Sequence, residues 1–368
     1  MRGFGAVLRK EGLQMVRDRG TLRFALLLPA LQLVLFGLID TNVTDVPTAV
    51  FDQSRSAESR ELLAAFASTG LFAVERYVPS RAALREAIVA GEASVGIEVP
   101  PDFARRRLYG ESARVLVLID GSDSSLSSQA LAATNGLTLS RSLEQLAREQ
   151  GIDDLPLEAR PQLLFNPDSR SANLLIPGLI AILLTFSGTL LSAYAIVRER
   201  ERGTLEQLMV TPASPIAVVF GKLLPYLALS FLQLLVVLVL MSTVFRVPIH
   251  GSVPLLLGLA AVYLFALLSL GLLISARAKT QMEATQIAQM VLLPSIMLSG
   301  YIFPLSSLPG PLQWVAQVLP ATHFIAISRG IVIRGAGFLD LWQHVAALLA
   351  IATVLVLGSA RAFRKTVS

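Results

Sequence analysis

The sequence has no cysteine and little charge for its length. Because cysteine is absent from all 368 residues, disulfides, thiolate metal sites and cysteine redox chemistry are excluded. Charged residues make up 15% of the chain, whereas soluble proteins carry about 25%. Apolar residues make up 54%, and the mean hydropathy is +0.64. Long apolar blocks leave few places for charge, so the composition predicts an α-helical polytopic membrane protein.

Motifs for nucleotide binding and catalysis are also missing. Gly221-Lys222 lacks the upstream glycine and the following hydroxyl of a phosphate-binding loop. There is no nucleophile elbow, HExxH motif or Cys/His cluster. His250, His323 and His344 are far apart in the sequence. We therefore expect no catalytic residue, no metal site and no directly bound cofactor.

Six segments are long and apolar enough to span a bilayer, whose hydrocarbon core of about 30 Å needs about 20 helical residues. The predicted spans are Thr21–Ile39, Asn173–Val197, Gly221–Phe245, Val253–Ser275, Glu283–Phe303 and Leu341–Ala360. Residues 173–361 would hold the second to sixth spans. The segment 362–368 would be a tail.

Basic residues predict the orientation of these spans. Fifteen arginines and lysines flank one side, and three, Arg246, Arg329 and Arg334, flank the other. The more basic side is usually cytoplasmic, which places both termini in the cytoplasm of a bacterial cell with the chain in its inner membrane. Segment 40–171 then lies outside, in the periplasm of a Gram-negative cell.

The net charge is unevenly divided between these parts. Segment 40–171 has 13 basic and 19 acidic residues, a net charge of −6, and the rest has 18 and 7, a net charge of +11. The basic excess belongs to the membrane part, where it indicates topology and contact with anionic membrane lipids rather than binding to nucleic acid.

Two segments allow alternative interpretations. Leu312–Ile333 could be a seventh span, but Pro320 interrupts it and a buried charge at Arg329 would be costly. A re-entrant or interfacial helix is therefore preferred. Residues 1–20 mix apolar and basic side chains. They fit a cytoplasmic interfacial helix, or else an ordinary basic flank.

Segment 40–171 reads as an inserted α/β domain, because strand-like and helix-like stretches alternate from Pro47 to Gln150. Ser80 and Asp102 stand where helix N-caps are expected. Asp52 and Asp120 each end a predicted strand. With no histidine in the domain, turn capping is favoured over a metal or catalytic role.

The charged segment 198–212 (RERERGTLEQLMVTP) follows the second span on the cytoplasmic side. Gly203 permits a bend, Thr204 can cap a helix whose first turn holds Glu206, and Pro212 ends it. A short helix along the membrane would suit docking to another protein. A charged loop that merely anchors two spans fits the residues equally well.

This segment resembles the ERERGTLEQL-type signature of ABC type-2 export permeases. Further matches are 298–304 (LSGYIFP), 319–324 (LPATHF) and 328–331 (SRGI). The N-terminal Arg9-Lys-Glu11 and Arg17-Asp18 also fit. The resemblance covers essentially the whole chain, and is nearest to bacterial multidrug-efflux permeases with a large periplasmic domain between spans one and two.

The resemblance implies a permease subunit that moves a compound outward and is driven by a cytoplasmic ABC ATPase subunit, which would hold ATP and magnesium. The permease would pair with a second copy or a paralogue, and its periplasmic domain would dock a membrane-fusion adaptor or the partner permease's domain. Residues 199–212 would form the coupling helix. The implied ATPase-coupling residues are Glu199, Glu201, Gly203, Thr204, Glu206, Pro212, Arg277 and Lys279. The implied external gate contains Gly300, Tyr301, Pro304, Pro320, His323 and Arg329.

The spans hold few charges and a few glutamines, Gln32, Gln233 and Gln289. This favours an apolar or amphipathic cargo, although glutamines can also simply hydrogen-bond between helices. Two other classes of function compete. A membrane-anchored receptor or scaffold would act through its external domain, and an intramembrane enzyme would need an acid, base or metal constellation that the spans lack.

Overall fold

The computed structural model describes residues 4–39, 43–149, 164–168, 170–203 and 215–367. The chain forms two compact units. The helical unit comprises Met1–Asp40 and Leu163–Ser368, and the α/β unit comprises Thr41–Gln162. The second unit is thus inserted into the first along the chain.

Helices account for most of the described residues. In chain order the α-helices are α1 (Phe4–Arg17), α2 (Arg19–Gly37), α3 (Ala57–Ser68), α4 (Arg81–Val89), α5 (Phe103–Leu108), α6 (Ser124–Glu149), α7 (Ser171–Glu201), α8 (Pro215–Thr243), α9 (Val253–Arg277), α10 (Gln281–Leu298), α11 (Gly310–Val318), α12 (Pro320–Arg334) and α13 (Trp342–Val367). Short 3-10 helices lie at Leu305–Ser307 and Leu339–Leu341. The strands are β1 (Val46–Asp52), β2 (Phe72–Tyr77), β3 (Val95–Val99) and β4 (Leu116–Ile119).

Four described helices are long and apolar enough to cross a membrane by themselves: α7, α8, α9 and α13 with the 3-10 turn before it. Two pairs of consecutive helices, each bent at a short break, are long and apolar enough only when each pair is counted as one span. The α1–α2 pair bends by 66° and the α11–α12 pair by 82°. The described residues therefore give four to six candidate spans.

The predicted first and fifth spans differ from this result. The first corresponds to α2, which qualifies only together with α1. The fifth corresponds to α10, which has 18 residues but is not apolar enough to count as a span, because Glu283 and three glutamines lie in its first half. It stops at Leu298 because Gly300 turns the chain with a φ of +82°. The sharp bend between α11 and α12 does fall beside Pro320, where the sequence predicted an interruption.

Helix α7 is the centre of the helical unit, with contacts to α2, α8, α9, α10 and α12. It approaches α9 closely at Gly271, where a Cβ atom would lie 2.0 Å from Ser192 Oγ and 2.3 Å from the Thr189 carbonyl oxygen. Small residues let membrane helices approach this closely. Further along the contact between α7 and α9, the Tyr263 hydroxyl of α9 lies 2.5 Å from the Thr185 hydroxyl of α7.

The α/β unit is built on a four-stranded sheet in the order β2-β1-β3-β4. The β1 strand is parallel to β2 and β3, and β4 is antiparallel to β3. From β1 to β2 the chain moves one position to one side of the sheet, and from β2 to β3 it moves two positions to the other side. Because such connections are right-handed, α3 and α4 cover opposite faces. Val50 and Phe66 are buried on one face, and Ala49 and Leu84 on the other.

Turn-capping carboxylates follow two of the strands, as the sequence predicted. Asp52 Oδ1 accepts hydrogen bonds from the amides of Ser54 and Arg55 at 2.9 and 3.0 Å, and Asp120 Oδ1 accepts one from Ser122 at 2.9 Å. Ser80 caps α4 as expected. Asp102 does not cap α5 with its side chain. Its carboxylate pairs with Arg106 instead, and this hydrogen bond holds the pKa of Asp102 below its usual range.

Candidate functional site

Two charged turns of the helical unit lie side by side. One is 198–203, at the end of α7, and the other is 277–281, which joins α9 to α10. We call them the paired turns. They contain the coupling residues Glu199, Glu201, Gly203, Arg277 and Lys279 that the sequence analysis singled out.

Arg200 and Glu201 hold the paired turns together. The Arg200 guanidinium donates to the carbonyls of Ala276 and Ala278, where a cation stabilises the otherwise unpaired C-terminal end of α9. The Glu201 carboxylate accepts hydrogen bonds from Gln281, including one of 2.7 Å from its backbone amide. Gln281 is the first residue of α10, so this carboxylate also lies at the favourable end of a helix dipole.

The coupling segment begins differently from the prediction. Residues 199–201 are the last residues of α7, not the start of a separate coupling helix. The helix continues beyond Val197 because arginine and glutamate are good helix formers and arginine suits a helix C-terminus. Gly203 then turns the chain with a φ of +68°, as a glycine can without strain. Thr204, Glu206 and Pro212 lie outside the described residues.

Glu199 faces inward and belongs to a group of charges, which we call the ion cluster: the buried Glu11, Glu199 and Lys222, and the exposed Lys10 at its edge. Lys222 Nζ lies 2.9 Å from Glu11 Oε1, 2.9 Å from Glu199 Oε2 and 3.1 Å from the Ala195 carbonyl. The Lys222 side chain is 1% exposed. Lys10 pairs with the other oxygen of Glu199. The two positive and two negative charges balance, as the three buried ones require, and Lys10 completes the balance from a side chain that is 48% exposed.

The ion cluster connects three helices next to the paired turns. Glu11 lies on α1, Glu199 on α7 and Lys222 on α8. Nearby, Arg198 of α7 lies 3.6 Å from Asp18, which separates α1 from α2. Displacement of the end of α7 would therefore pull directly on α1 and α8.

The exposed charges of the paired turns are basic. Arg202, Arg277 and Lys279 are all exposed, and no carboxylate in the described part of the chain lies within 4.0 Å of their charged side-chain nitrogens. Glu201 is committed to Gln281, and Glu283 caps α10 by accepting a hydrogen bond from the Lys279 amide at 2.7 Å. The surface therefore suits a partner that presents carboxylates.

A second cluster, which we call the arginine cluster, contains three residues of the predicted external gate. Arg329 of α12 donates from Nη1 to the Gly300 carbonyl at 2.9 Å and from Nη2 to the Tyr301 carbonyl at 3.1 Å. The preceding Ser328 donates to the Pro177 carbonyl of α7 at 2.7 Å. A Cβ atom on Gly178 would lie 2.9 Å from the Tyr301 ring. Arg329 thus ties the turn after α10 to α12, close against α7.

The remaining predicted gate residues are arranged separately. Pro304 is exposed and precedes a 3-10 turn. Pro320 begins α12, and His323 in its first turn is 3% exposed. His323 Nδ1 lies 3.3 Å from Nδ1 of His344 on α13, and its Nε2 lies 2.9 Å from the Gln317 carbonyl. These two histidines are 21 residues apart in the sequence, yet their rings are in contact.

The arginine cluster and the ion cluster lie at opposite ends of α7. Gly178 and Glu199 are on the same helix, and a rise of 1.5 Å per residue puts them about 30 Å apart. This distance matches the thickness of a bilayer hydrocarbon core. One rigid helix thus connects the two predicted functional regions.

Sequence reasoning missed the ion cluster and the partners of the arginine cluster. Lys222 was taken as one of many basic flanking residues, and Glu11 as part of an N-terminal motif. A lysine inside an apolar stretch is nonetheless a signal, because it needs a buried counter-charge. No sequence signal connects Arg329 with the two backbone carbonyls.

Comparisons with known proteins show the family of this chain. Residues 19–361 match the family described as ABC-2 family transporter protein. The chain is 28% identical over 367 residues to the probable multidrug ABC transporter permease YbhR of Escherichia coli K12, covering 98% of both chains. It is 29% identical to the probable multidrug ABC transporter permease YbhS of the same strain, covering 90% of this chain and 88% of that one. It is also 27% identical to ABC transporter G family member 20 of Dictyostelium discoideum, over 92% of this chain and 47% of that protein.

Proposed function

This chain belongs to the ABC-2 transporter family and is a multi-pass membrane permease, and we propose that it is the membrane-spanning subunit of an exporter driven by a separate ATPase. The absence of a phosphate-binding loop from the sequence supports a division of labour in which another subunit holds ATP and magnesium.

The observation that carries this proposal is the hydrogen-bonded pair of charged turns. Arg200 and Glu201 join the end of α7 to the α9–α10 turn. An ATPase pressing on this surface would therefore move α7, α9 and α10 together. The exposed Arg202, Arg277 and Lys279 would contact carboxylates of the ATPase.

The ion cluster would carry the same movement further. Because Lys222 bridges Glu11 and Glu199, a shift of α7 also displaces α1 and α8. In this proposal Glu199 is a positioning residue and does not itself contact the ATPase. Its carboxylate is 7% exposed, which leaves little surface for a partner.

The arginine cluster would act at the external end. When α7 moves, Ser328 and Arg329 would carry that displacement to the turn at Gly300 and Tyr301. ATP binding drives transport only if it favours one of two conformations of this assembly. The cluster would thus alternate between an open and a closed external gate.

The similarity to YbhR and YbhS, which are probable multidrug permeases, supports an apolar or amphipathic drug-like or lipid-like cargo for this chain. We place the chain in a bacterial inner membrane, with the paired turns and both termini in the cytoplasm and the α/β unit in the periplasm. There that unit would dock an adaptor of the membrane-fusion type. The permease would function with a second copy or a paralogue.

Charge reversal at the paired turns tests the proposal. The double variant Arg277→Glu with Lys279→Glu should insert normally into the membrane but co-purify with much less ATPase subunit. The matched control is Arg105→Glu, an exposed arginine of the α/β unit, which should retain the ATPase. Equal recovery of the ATPase with both variants would refute the docking assignment.

A further inference from the structure

The α/β unit contains a cavity that neither the gate nor the paired turns explain. It has a volume of about 420 Å³ and lies among α3, α5, β4 and α6. Small-molecule sites are usually concave, with volumes of roughly 300–1,000 Å³ and a mostly apolar lining that includes a few polar groups. The cavity is therefore large enough for a small organic molecule.

The floor of the cavity is apolar. Phe66 of α3 and Phe103 of α5 line it and are 2% and 4% exposed. Val117 of β4 and Val115, just before that strand, extend this lining. Aromatic and branched side chains at the base of a cavity favour an apolar body on the ligand.

The rim of the cavity is polar and carries two acidic and two basic side chains, Glu61, Glu111, Arg107 and Arg141. Arg141 of α6 lies 3.2 Å from Glu144 and 3.7 Å from Glu61. Glu111 lies 3.9 Å from Arg106.

Arg107 is the exception at this rim. It lines the cavity, but no carboxylate among the described residues lies within 4.0 Å of its guanidinium. Glu58 is near enough to attract Arg107 electrostatically but forms no ion pair with it, so the half-buried guanidinium keeps hydrogen-bond donors for an anionic ligand.

A second polar group in the lining also lacks a partner. Thr134 Oγ1 of α6 is buried and makes no hydrogen bond among the described residues. A buried hydroxyl without a partner costs about 1–3 kcal/mol, so a group that binds it would be favoured. Thr134 and Arg107 thus both call for a polar end on the occupant.

We propose that this cavity binds an amphipathic organic anion, whose apolar body contacts Phe66 and Phe103 and whose carboxylate or sulfonate is bound by Arg107. Guanidinium groups form two parallel hydrogen bonds to such oxyanions. The inference is independent of the proposed exporter role, because the site lies within one unit and its binding is measured without any ATPase.

The test uses the full chain in lipid nanodiscs and three soluble probes with the same phenylbutyl body: 4-phenylbutyrate, 4-phenylbutan-1-ol and 4-phenylbutylamine. Binding is measured by ligand-observed NMR titration. The acid should bind at least about tenfold more tightly than the alcohol or the amine, since a charge-assisted hydrogen bond contributes roughly that factor. Failure of the acid to bind, or equal binding of acid and amine, would overturn the proposal.

Matched variants locate the site. Arg107→Gln should weaken binding of the acid about tenfold, whereas Arg105→Gln, on the exposed part of the same helix, should leave it unchanged. Thr138→Trp should fill the cavity and abolish binding, because Thr138 is an exposed lining residue of α6. Ser140→Trp, on the same helix but outside the lining, should have no effect. Equal effects within either pair would also contradict the assignment.

Discussion

The ammonium group of Lys222 lies 2.9 Å from the carboxylate of Glu199. The two residues come from consecutive long helices, α8 and α7, and both side chains are buried. Because each buried charge is stable only in the presence of the other, this pair fixes how α7 and α8 pack against each other next to the paired turns. Glu11 and Lys10 complete a neutral group.

Removing the Lys222 charge should destabilise the helical unit. Lys222→Met leaves two carboxylates facing one lysine, and breaking a buried ion pair from one side costs about 3–5 kcal/mol. Unfolding in mixed micelles of detergent and dodecyl sulfate measures this loss. Adding Glu11→Gln restores neutrality and should recover much of the stability. If the double variant were no more stable than Lys222→Met, the charge-balance explanation would be wrong.

Gly271 should not tolerate even one methyl group. Its Cβ would collide with Ser192 Oγ and the Thr189 carbonyl of α7, so Gly271→Ala should destabilise the protein by about 1–3 kcal/mol through overpacking. The control, Gly258→Ala on the same helix, meets nothing within 4 Å. It should be neutral or stabilise by up to about 1 kcal/mol, as helix propensity dictates. Thermal unfolding of both variants in detergent measures the difference, and equal melting temperatures would contradict the close helix contact.

Arg329→Lys should loosen the arginine cluster despite preserving the charge. Lysine cannot reach the Gly300 and Tyr301 carbonyls at the same time with the geometry of a guanidinium. A hydrogen bond to a charged group contributes about 1.5–3 kcal/mol, so the loss should be of that order. Hydrogen exchange of residues 299–303 should also become faster. Arg334→Lys at the exposed end of α12 is the control and should change neither measurement.

The natural absence of cysteine makes the predicted topology easy to test. Single cysteines at Lys279→Cys and Val89→Cys, both at exposed positions, are treated with a membrane-impermeant maleimide in spheroplasts. The account places position 89 outside and position 279 in the cytoplasm, so only position 89 should react before the membrane is permeabilised. Labelling of position 279 from outside would invert the topology and remove the paired turns from any cytoplasmic partner.

Periodicity and composition are enough to predict the long apolar helices and the alternation of strands and helices in the α/β unit. These features depend on local sequence patterns, such as the helix-capping Ser80 and the continuous apolar stretch that forms α9. Interactions over long sequence distances could not be predicted in this way. Lys222 with Glu11, His323 with His344, and Arg329 with two backbone carbonyls each depend on how helices pack.

The same reasoning explains the error at the start of the coupling segment. Gly203 was correctly identified as a turn, but Glu199 and Glu201 were assigned to a separate coupling helix 199–212 instead of the end of α7. Whether a charged residue continues a helix or faces a partner depends on the charges opposite it in the fold. Here Lys222 and the amide of Gln281 take up these two carboxylates.

Cross-linking from position 279 tests the central claim most directly. Lys279→Cys, carrying a photoactivatable cross-linker, is irradiated in native membranes, and the captured proteins are identified by mass spectrometry. The account predicts capture of an ATPase subunit that contains a phosphate-binding loop, and no such capture from the control Arg105→Cys. Failure to capture an ATPase from position 279, or equal capture from both positions, would contradict the claim that a separate motor docks on the paired turns.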